Sequence, residues 1–234
     1  MKPSVKLEKV TKLYQMGQVQ VTALVDVSLT IFPGEFIVIL GPSGSGKTTM
    51  LNLLGGLDYP TSGLIEVNGI DISTLKESEL TNYRRTQVGF IFQFFNLIPT
   101  LTARENVEFA GELIKQRRSA KELLKEVGLE ERIDHFPSQL SGGENQRVAI
   151  ARSLATDPAI LLCDEPTGSL DFETGKRIFK LLRVLNETRQ KTMIVVTHNS
   201  PVGEIADRVI RMHDGRISRI ITNEHPLDPE ALEW

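Results

Sequence analysis

Internal disulfides are excluded at once, because the 234-residue chain holds a single cysteine. Cys163 lies inside the apolar run AILLC, which reads as a buried free thiol in a reducing compartment, so a cytoplasmic protein is expected. Long apolar stretches are missing as well. Runs such as FIVIL fall far below the ~18 residues of a spanning helix, and the opening MKPSVKLEKV has no apolar leader core. Any membrane role must then come through a partner. An excess of positive charge is also absent: 27 Lys plus Arg stand against 30 Asp plus Glu, a formal net charge of −3, which argues against nucleic acid held by bulk phosphate neutralisation. What remains, 40% hydrophobic and 24% charged, is an ordinary soluble chain long enough to bury a core without staples.

The opening hundred residues read mainly as strands. Val25, Val27, Leu29 and Ile31 alternate with Asp26, Ser28 and Thr30, the period of two that suits a half-buried antiparallel strand, and Pro33-Gly34 supplies the turn after it. FIVIL, AILLC and TMIVVT are continuously apolar instead, as strands covered on both faces of a parallel sheet should be. The stretch 175–189 carries Ile178, Leu181, Leu182 and Leu185 at helical spacing, so a βα-type core is expected. Between about residue 94 and residue 158 the character changes. Charged helix formers dominate, with Leu123, Leu124 and Val127 on one face and Gly128 as a stop, which predicts a helical insert. Its basic run Lys115, Arg117, Arg118, Lys121 and Lys125 is interleaved with glutamates and reads as a solvated face. The tail NEHPLDPEALEW is expected to fray or to form one short turn after Asp228-Pro229.

The strongest chemical signal is GPSGSGKT, residues 41–48, a complete G-x-x-x-x-G-K-[ST] between the strand FIVIL and the helical TMLNLLGGL. Gly41, Gly44 and Gly46, with Pro42, Ser43 and Ser45 between them, let successive backbone N–H groups converge on phosphate oxygens. Lys47 reaches the β and γ phosphates, Thr48 is placed to ligate Mg²⁺, and Thr49 beside it is expected among the nucleotide-binding residues. A phosphate cradle alone also fits a kinase, a switch GTPase or a passive nucleotide binder. A second half of the site stands in AILLCDE, where an apolar strand ends in Asp164 and Glu165. A strand-end aspartate holds the ion's shell in P-loop enzymes, and Glu165 is then free to polarise a water for in-line attack. A third element is LSGGENQRVAIARSLA: Ser141, Gly142 and Gly143 open a helix with the inward stripe Val148, Ala151, Leu154 and Ala155, and Glu144 puts an acid in its first turn. A glycine-rich helix start is another anion site. Two such starts about a hundred residues apart, for one γ-phosphate, are explained by a site that a second copy of the chain completes.

GPSGSGKTT, LSGGE and ILLCDEPTGSLD, in that order and followed by TH after TMIVVT, closely resemble the nucleotide-binding domain of ABC ATPases from about Val5 to Ile220. The resemblance implies an α/β fold: a P-loop NTPase (RecA-like) core with an antiparallel β subdomain and an inserted α-helical subdomain. The chain would be a single ABC ATPase domain over 1–234, with 1–93 and 159–234 as the ATP-binding core and 94–158 as the helical signature subdomain. It further implies that Tyr14 stacks on adenine, that Gln93 meets Mg²⁺ and the attacking water, that Ser169, Leu170 and Asp171 form a loop across a dimer interface, and that His198 contacts the γ-phosphate.

More narrowly, ILGPSGSGKTTMLNLLGGLDYPTSG, FQFFNLIPTLTARENVE and QLSGGENQRVAIARSLA are similar to the ATPase subunits of lipoprotein-release and macrolide-export machines. Two departures are the shorter stretch 108–128 and Asn145, where glutamine is usual. The expectation is an ATP- and Mg²⁺-dependent ATPase that dimerises around two ATP molecules, peripheral on the inner face of the cell membrane, and moves a permease. Phe94, Phe95, Leu97, Ile98 and Leu101, just after Gln93, form the apolar cluster expected to receive it. A soluble ABC protein of DNA repair or translation is the alternative, against which stand the missing heptad insertion, the single P-loop and the lack of basic excess.

Overall fold

The computed structural model describes residues 2–112, 114 and 118–233. Chain order runs β1 (Val5–Met16), β2 (Val19–Ile31), β3 (Phe36–Leu40), α1 (Lys47–Leu54), β4 (Ser62–Val67), β5 (Ile70–Asp71), α2 (Glu77–Gln87) and β6 (Val88–Phe92). It continues with α3 (Ala103–Gly111), α4 (Ala120–Glu126), α5 (Gly142–Ser153), β7 (Ile160–Asp164), α6 (Phe172–Arg189), β8 (Thr192–Thr197), β9 (Arg208–His213) and β10 (Arg216–Thr222). An antiparallel sheet has the order β2-β1-β4-β5, and a six-stranded sheet the order β10-β9-β3-β8-β7-β6, parallel from β9 to β6.

The all-apolar strands are buried on both faces because each face meets a different layer. Phe36, Val38 and Leu40 join Val195, Leu161 and Cys163 against α5 and α6, whereas Ile37 and Ile39 join Ile194, Val196 and Leu162 against α1 and the antiparallel sheet. Cys163 is a fully buried thiol whose pKa is pushed up by burial and then by the Asp164 charge. Three helices, α3, α4 and α5, fall between β6 and β7, and Leu123, Leu124 and Val127 are all buried there. Gly128 ends that run in the left-handed region at φ +70°. Of the basic run, Lys115 and Arg117 lie outside the described residues; Lys121 and Lys125 are exposed, and Arg118 pairs with Glu126.

The sequence pattern misplaces two features. Alternation along β2 breaks at Asp26, a left-handed residue (φ 49°) at an irregularity in the β1–β2 register, so Leu24 faces the core and Val25 is only half-buried. Helix α6 starts at Phe172, ahead of the expected 175, because Asp171 caps it by accepting from Thr174 N. Of the two expectations for the tail, the short turn is the one found: a 3-10 turn at Pro229–Ala231 follows Asp228, Lys180 pairs with Glu230, and Leu232 is buried in the core.

Candidate functional site

Parallel strands in adjacent register bring their carboxyl ends to one edge: Leu40 lies beside Thr197, and Val196 beside Asp164, which lies beside Phe92. Residues that follow those ends in sequence therefore meet in space, the usual place for a ligand in such sheets. A cavity of about 330 Å³ opens there, lined by residues 43–49 together with Glu165, Val196 and His198 and closed on one side by Val21, Thr22 and Ala23. The loop is drawn tight at Gly46, whose φ is +95° and where a Cβ would stand 2.5 Å from Ala23 O. Lys47 Nζ folds back on the loop, donating to Gly41 O at 2.8 Å and Pro42 O at 2.9 Å. The Ser45 hydroxyl is buried with no partner. An ammonium satisfied only by its own loop and an orphaned hydroxyl both suit an anion that would take up their hydrogen bonds.

Across the cavity Thr48 Oγ1 donates to Asp164 Oδ1 at 3.4 Å. Burial raises the Asp164 pKa and the neighbouring Glu165 charge raises it further, with Thr48 and Lys47 opposing. A hydroxyl and a carboxylate at this spacing are hard oxygen donors that fit Mg²⁺, and a cation there would relieve the repulsion between the two acids. Glu165 sits in the left-handed region at φ 47°, held by its N–H on Val196 O at 2.9 Å. A non-glycine residue in that region is a strained position of the kind that clusters at working sites. Its Oε2 accepts from Thr197 Oγ1 at 3.0 Å, and its Oε1 meets His198 Nδ1 at 2.8 Å.

Ser141, Gly142 and Gly143 stand elsewhere. Ser141 caps α5 through its Oγ to Glu144 N, and Glu144 returns a bond to Ser141 N at 2.8 Å, which lowers the Glu144 pKa. Ser141, Gly143 and Glu144 line a separate cavity of about 400 Å³ between α5 and α6. The stripe Val148, Ala151, Leu154 and Ala155 is buried as the sequence predicts.

Residues 24–168 match the ABC transporter domain family. The chain belongs to that family. An uncharacterized ABC transporter ATP-binding protein of Methanocaldococcus jannaschii is 50% identical over 92% of this chain and 95% of its own length. A macrolide export ATP-binding/permease protein, MacB of Brucella melitensis, is 46% identical over 98% of this chain, which spans 36% of that longer protein. Among solved structures, the dimeric post-hydrolysis state of the ATP-binding cassette MJ0796 bound to ADP and Pi superposes with a TM-score of 0.85 at 48% identity, covering 93% of this chain and 98% of that one. The chain is thus an ABC transporter ATP-binding cassette and an ATPase, with a P-loop core and an antiparallel β sheet beside it. A soluble repair or translation protein is not supported by these relatives.

The cassette brings some predicted site residues together and leaves others apart. Gln93 is not on the P-loop cavity: its side chain lies over Gly168, where a Cβ would stand 2.9 Å from Nε2, and its carbonyl accepts from Ser169 Oγ at 2.9 Å. Asp171 caps α6 and shares a smaller cavity with Glu165 and His198. Tyr14 does not line the P-loop cavity either; its phenol donates to Asp58 Oδ2 at 2.8 Å and Lys12 Nζ sits 4.7 Å over its ring. In the apolar segment after Gln93, Phe94 is 73% exposed, while Leu97 packs on the core. Phe95 and Asn96 are both left-handed, and their carbonyls accept from Arg152 of α5 at 2.8 and 2.5 Å.

Sequence reasoning missed Gln146. It is fully buried, and its Nε2 donates to Pro166 O at 2.7 Å and Phe92 O at 3.3 Å, tying α5 to the loops that carry Glu165 and Gln93. The signal was available: Gln146 stands on the inward side of α5 with Ile150 and Ser153, where an amide requires a polar partner. Asn145 likewise works locally, donating to Pro137 O and Leu140 O and so fixing the segment before Ser141.

Proposed function

We propose that the cassette dimerises around two ATP molecules and, from the inner face of the cell membrane, drives a conformational change in a permease of the export or lipoprotein-release type. The observation that carries the reading is the separation within one chain: residues 43–49 and residues 141–143 are both glycine-rich helix starts, yet residues 43–49 line one cavity and Ser141 and Gly143 line another. A second copy, its residues 141–143 laid over the first copy's P-loop, completes each site. The dimeric state of the solved relative supports this. No helix among the described residues is long and apolar enough to cross a membrane. The permease docks, in this reading, at the exposed Phe94 and the residues that follow it to Leu101.

In this reading Lys47 leaves the carbonyls of Gly41 and Pro42 for the β and γ phosphates, and the buried Ser45 hydroxyl gains an acceptor. Thr48 and Asp164 would hold Mg²⁺, which supplies charge neutralisation on the phosphates, and Gln93 would join them only on turning away from Gly168. Tyr14 supplies the adenine platform, Ser141, Gly142, Gly143 and Glu144 the opposing cradle, and Asp171 and its loop the contact between copies. Glu165 accepts a proton from water as the water oxygen attacks the γ-phosphorus, and the bond to the β–γ bridging oxygen breaks, leaving ADP and phosphate. His198 steadies the γ-phosphate.

Glu165→Gln tests the whole scheme. It keeps size and one acceptor oxygen but removes the charge that activates water, so ATP persists and links the copies by mass action. Size-exclusion chromatography with ATP and Mg²⁺ should show a dimer for Glu165→Gln and a monomer for Glu165→Gln combined with Ser141→Arg. A single variant that stays monomeric with ATP bound, or a double variant that dimerises equally well, refutes the composite site.

A further inference from the structure

We propose that Thr197 is the positioning residue for Glu165: its buried hydroxyl holds one carboxylate oxygen in place so that the other faces the attacking water. The inference rests on the reading of Glu165 as the group that activates water. Glu165 has a tether on each oxygen, and the two differ in kind. His198 Nδ1 lies 2.8 Å from Oε1, but the imidazole is 74% exposed and is the group assigned to the γ-phosphate. Thr197 Oγ1 lies 3.0 Å from Oε2, and the residue is 2% exposed at the end of β8, paired in register with Leu40 at the start of the P-loop. When His198 turns to phosphate, Thr197 is the tether that stays.

The hydroxyl's direction is fixed as well. Asn199 N donates to Thr197 Oγ1 at 3.1 Å, so one lone pair is occupied and the single hydroxyl proton points to Glu165 Oε2. A β-branched side chain in a buried strand has little rotameric freedom to abandon that geometry. Thr197 thus aims the carboxylate without touching nucleotide, and the left-handed backbone of Glu165 (φ 47°) gives it nothing else on that side to lean on among the described hydrogen bonds.

The test uses the full chain and steady-state ATP hydrolysis. Thr197→Val keeps the shape and removes the donor; kcat should fall about ten- to a hundredfold, the worth of one hydrogen bond to a charged group, with the KM for ATP changed by less than about twofold. Thr197→Ser, which retains the hydroxyl, should restore most of kcat. Because binding is intact, Thr197→Val should accumulate ATP-dependent dimer during turnover, as a slow version of Glu165→Gln. On a Glu165→Gln background, Thr197→Val should cause no further loss, since it acts through the carboxylate. Wild-type kcat in Thr197→Val, a parallel rise in KM, or failure of Thr197→Ser to rescue overturns the proposal. If Thr197→Val does not fold, Thr197→Ala against Thr197→Ser gives the same contrast. Full turnover in Glu165→Gln would instead overturn the reading of Glu165 itself.

Discussion

Gly143→Ala isolates how the signature helix is seated. A Cβ at Gly143 would stand 2.4 Å from Thr174 Cγ2, about an ångström inside ordinary contact. Thr174 cannot simply turn away, because its Oγ1 donates to Asp171 Oδ2 at 2.6 Å and its N–H donates to Asp171 Oδ1 at 3.0 Å, forming the cap of α6. The added methyl therefore either lifts α5 from α6 or breaks the cap beside Glu165 and His198. Overpacking of this kind costs about 1–3 kcal/mol, and the better helix propensity of alanine returns up to about 1 kcal/mol. The net loss of about 1–2 kcal/mol corresponds to roughly 2–8 °C in Tm for a chain of this size. Thermal unfolding with parallel ATPase assays reads both consequences. Thr174→Ser removes the offending methyl and keeps the hydroxyl, so the double variant should recover Tm and part of the turnover. If Thr174→Ser leaves Gly143→Ala as unstable as before, the contact with Thr174 is not what makes glycine necessary at 143.

Lys47→Ala should weaken nucleotide binding, read by equilibrium titration, and Asp164→Asn should chiefly lower Mg²⁺-dependent turnover by about a hundredfold or more; full turnover in either purified variant contradicts the assigned roles. Phe94→Asp places a charge on a side chain that is 73% exposed, so the isolated subunit should keep its Tm and its ATP affinity while the coupled complex loses transport-linked ATPase. A collapse in Tm would mean that Phe94 packs within the chain. Glu126→Gln should destabilise the protein at neutral pH. Burial alone would raise the Glu126 pKa, but Arg189 and Arg118 overcome it and hold the carboxyl below its ordinary value of 4.5. A depressed folded-state pKa gives stability that is present above the unfolded value and lost as pH falls through the folded one. The Tm gap between wild type and Glu126→Gln should therefore close under acid; a gap constant from pH 7 to pH 3 refutes the ion-pair account.

What the sequence made legible was carried mainly at the ends of β3, β7 and β8; Gln93, at the end of β6, and the groups positioned by packing could not be placed. FIVIL, AILLC and TMIVVT could be recognised as doubly covered strands because both residue parities are apolar, and parallel register then collects residues 43–49, Glu165 and His198 without further information. Asp26 defeated the period-two reading of β2 because a left-handed residue shifts the phase while leaving the composition unchanged. Tyr14 and Gln93 carry no local pattern that says where their side chains go, and the hydrogen bonds of Tyr14 to Asp58 and of Ser169 to the Gln93 carbonyl span 44 and 76 residues of sequence.

The same distinction explains why the second glycine-rich helix start could be detected but not located. Ser141 and Glu144 form a capping box that depends only on a spacing of three, so the helix start is written locally. Where that start lies is decided by Gln146, which reaches Phe92 and Pro166 at the ends of β6 and β7, and by Arg152, which holds the carbonyls of Phe95 and Asn96. These two side chains link α5 to both loops that flank it: one carries Glu165, the other leads from Gln93 to the exposed Phe94. A helix so fastened is tied directly to the loop that carries Glu165 and to the segment that contains Phe94. In the proposed dimer, nucleotide held between one copy's P-loop and the other's Ser141 would act through α5 on the segment after Gln93, a route that needs no contact between ATP and the proposed permease.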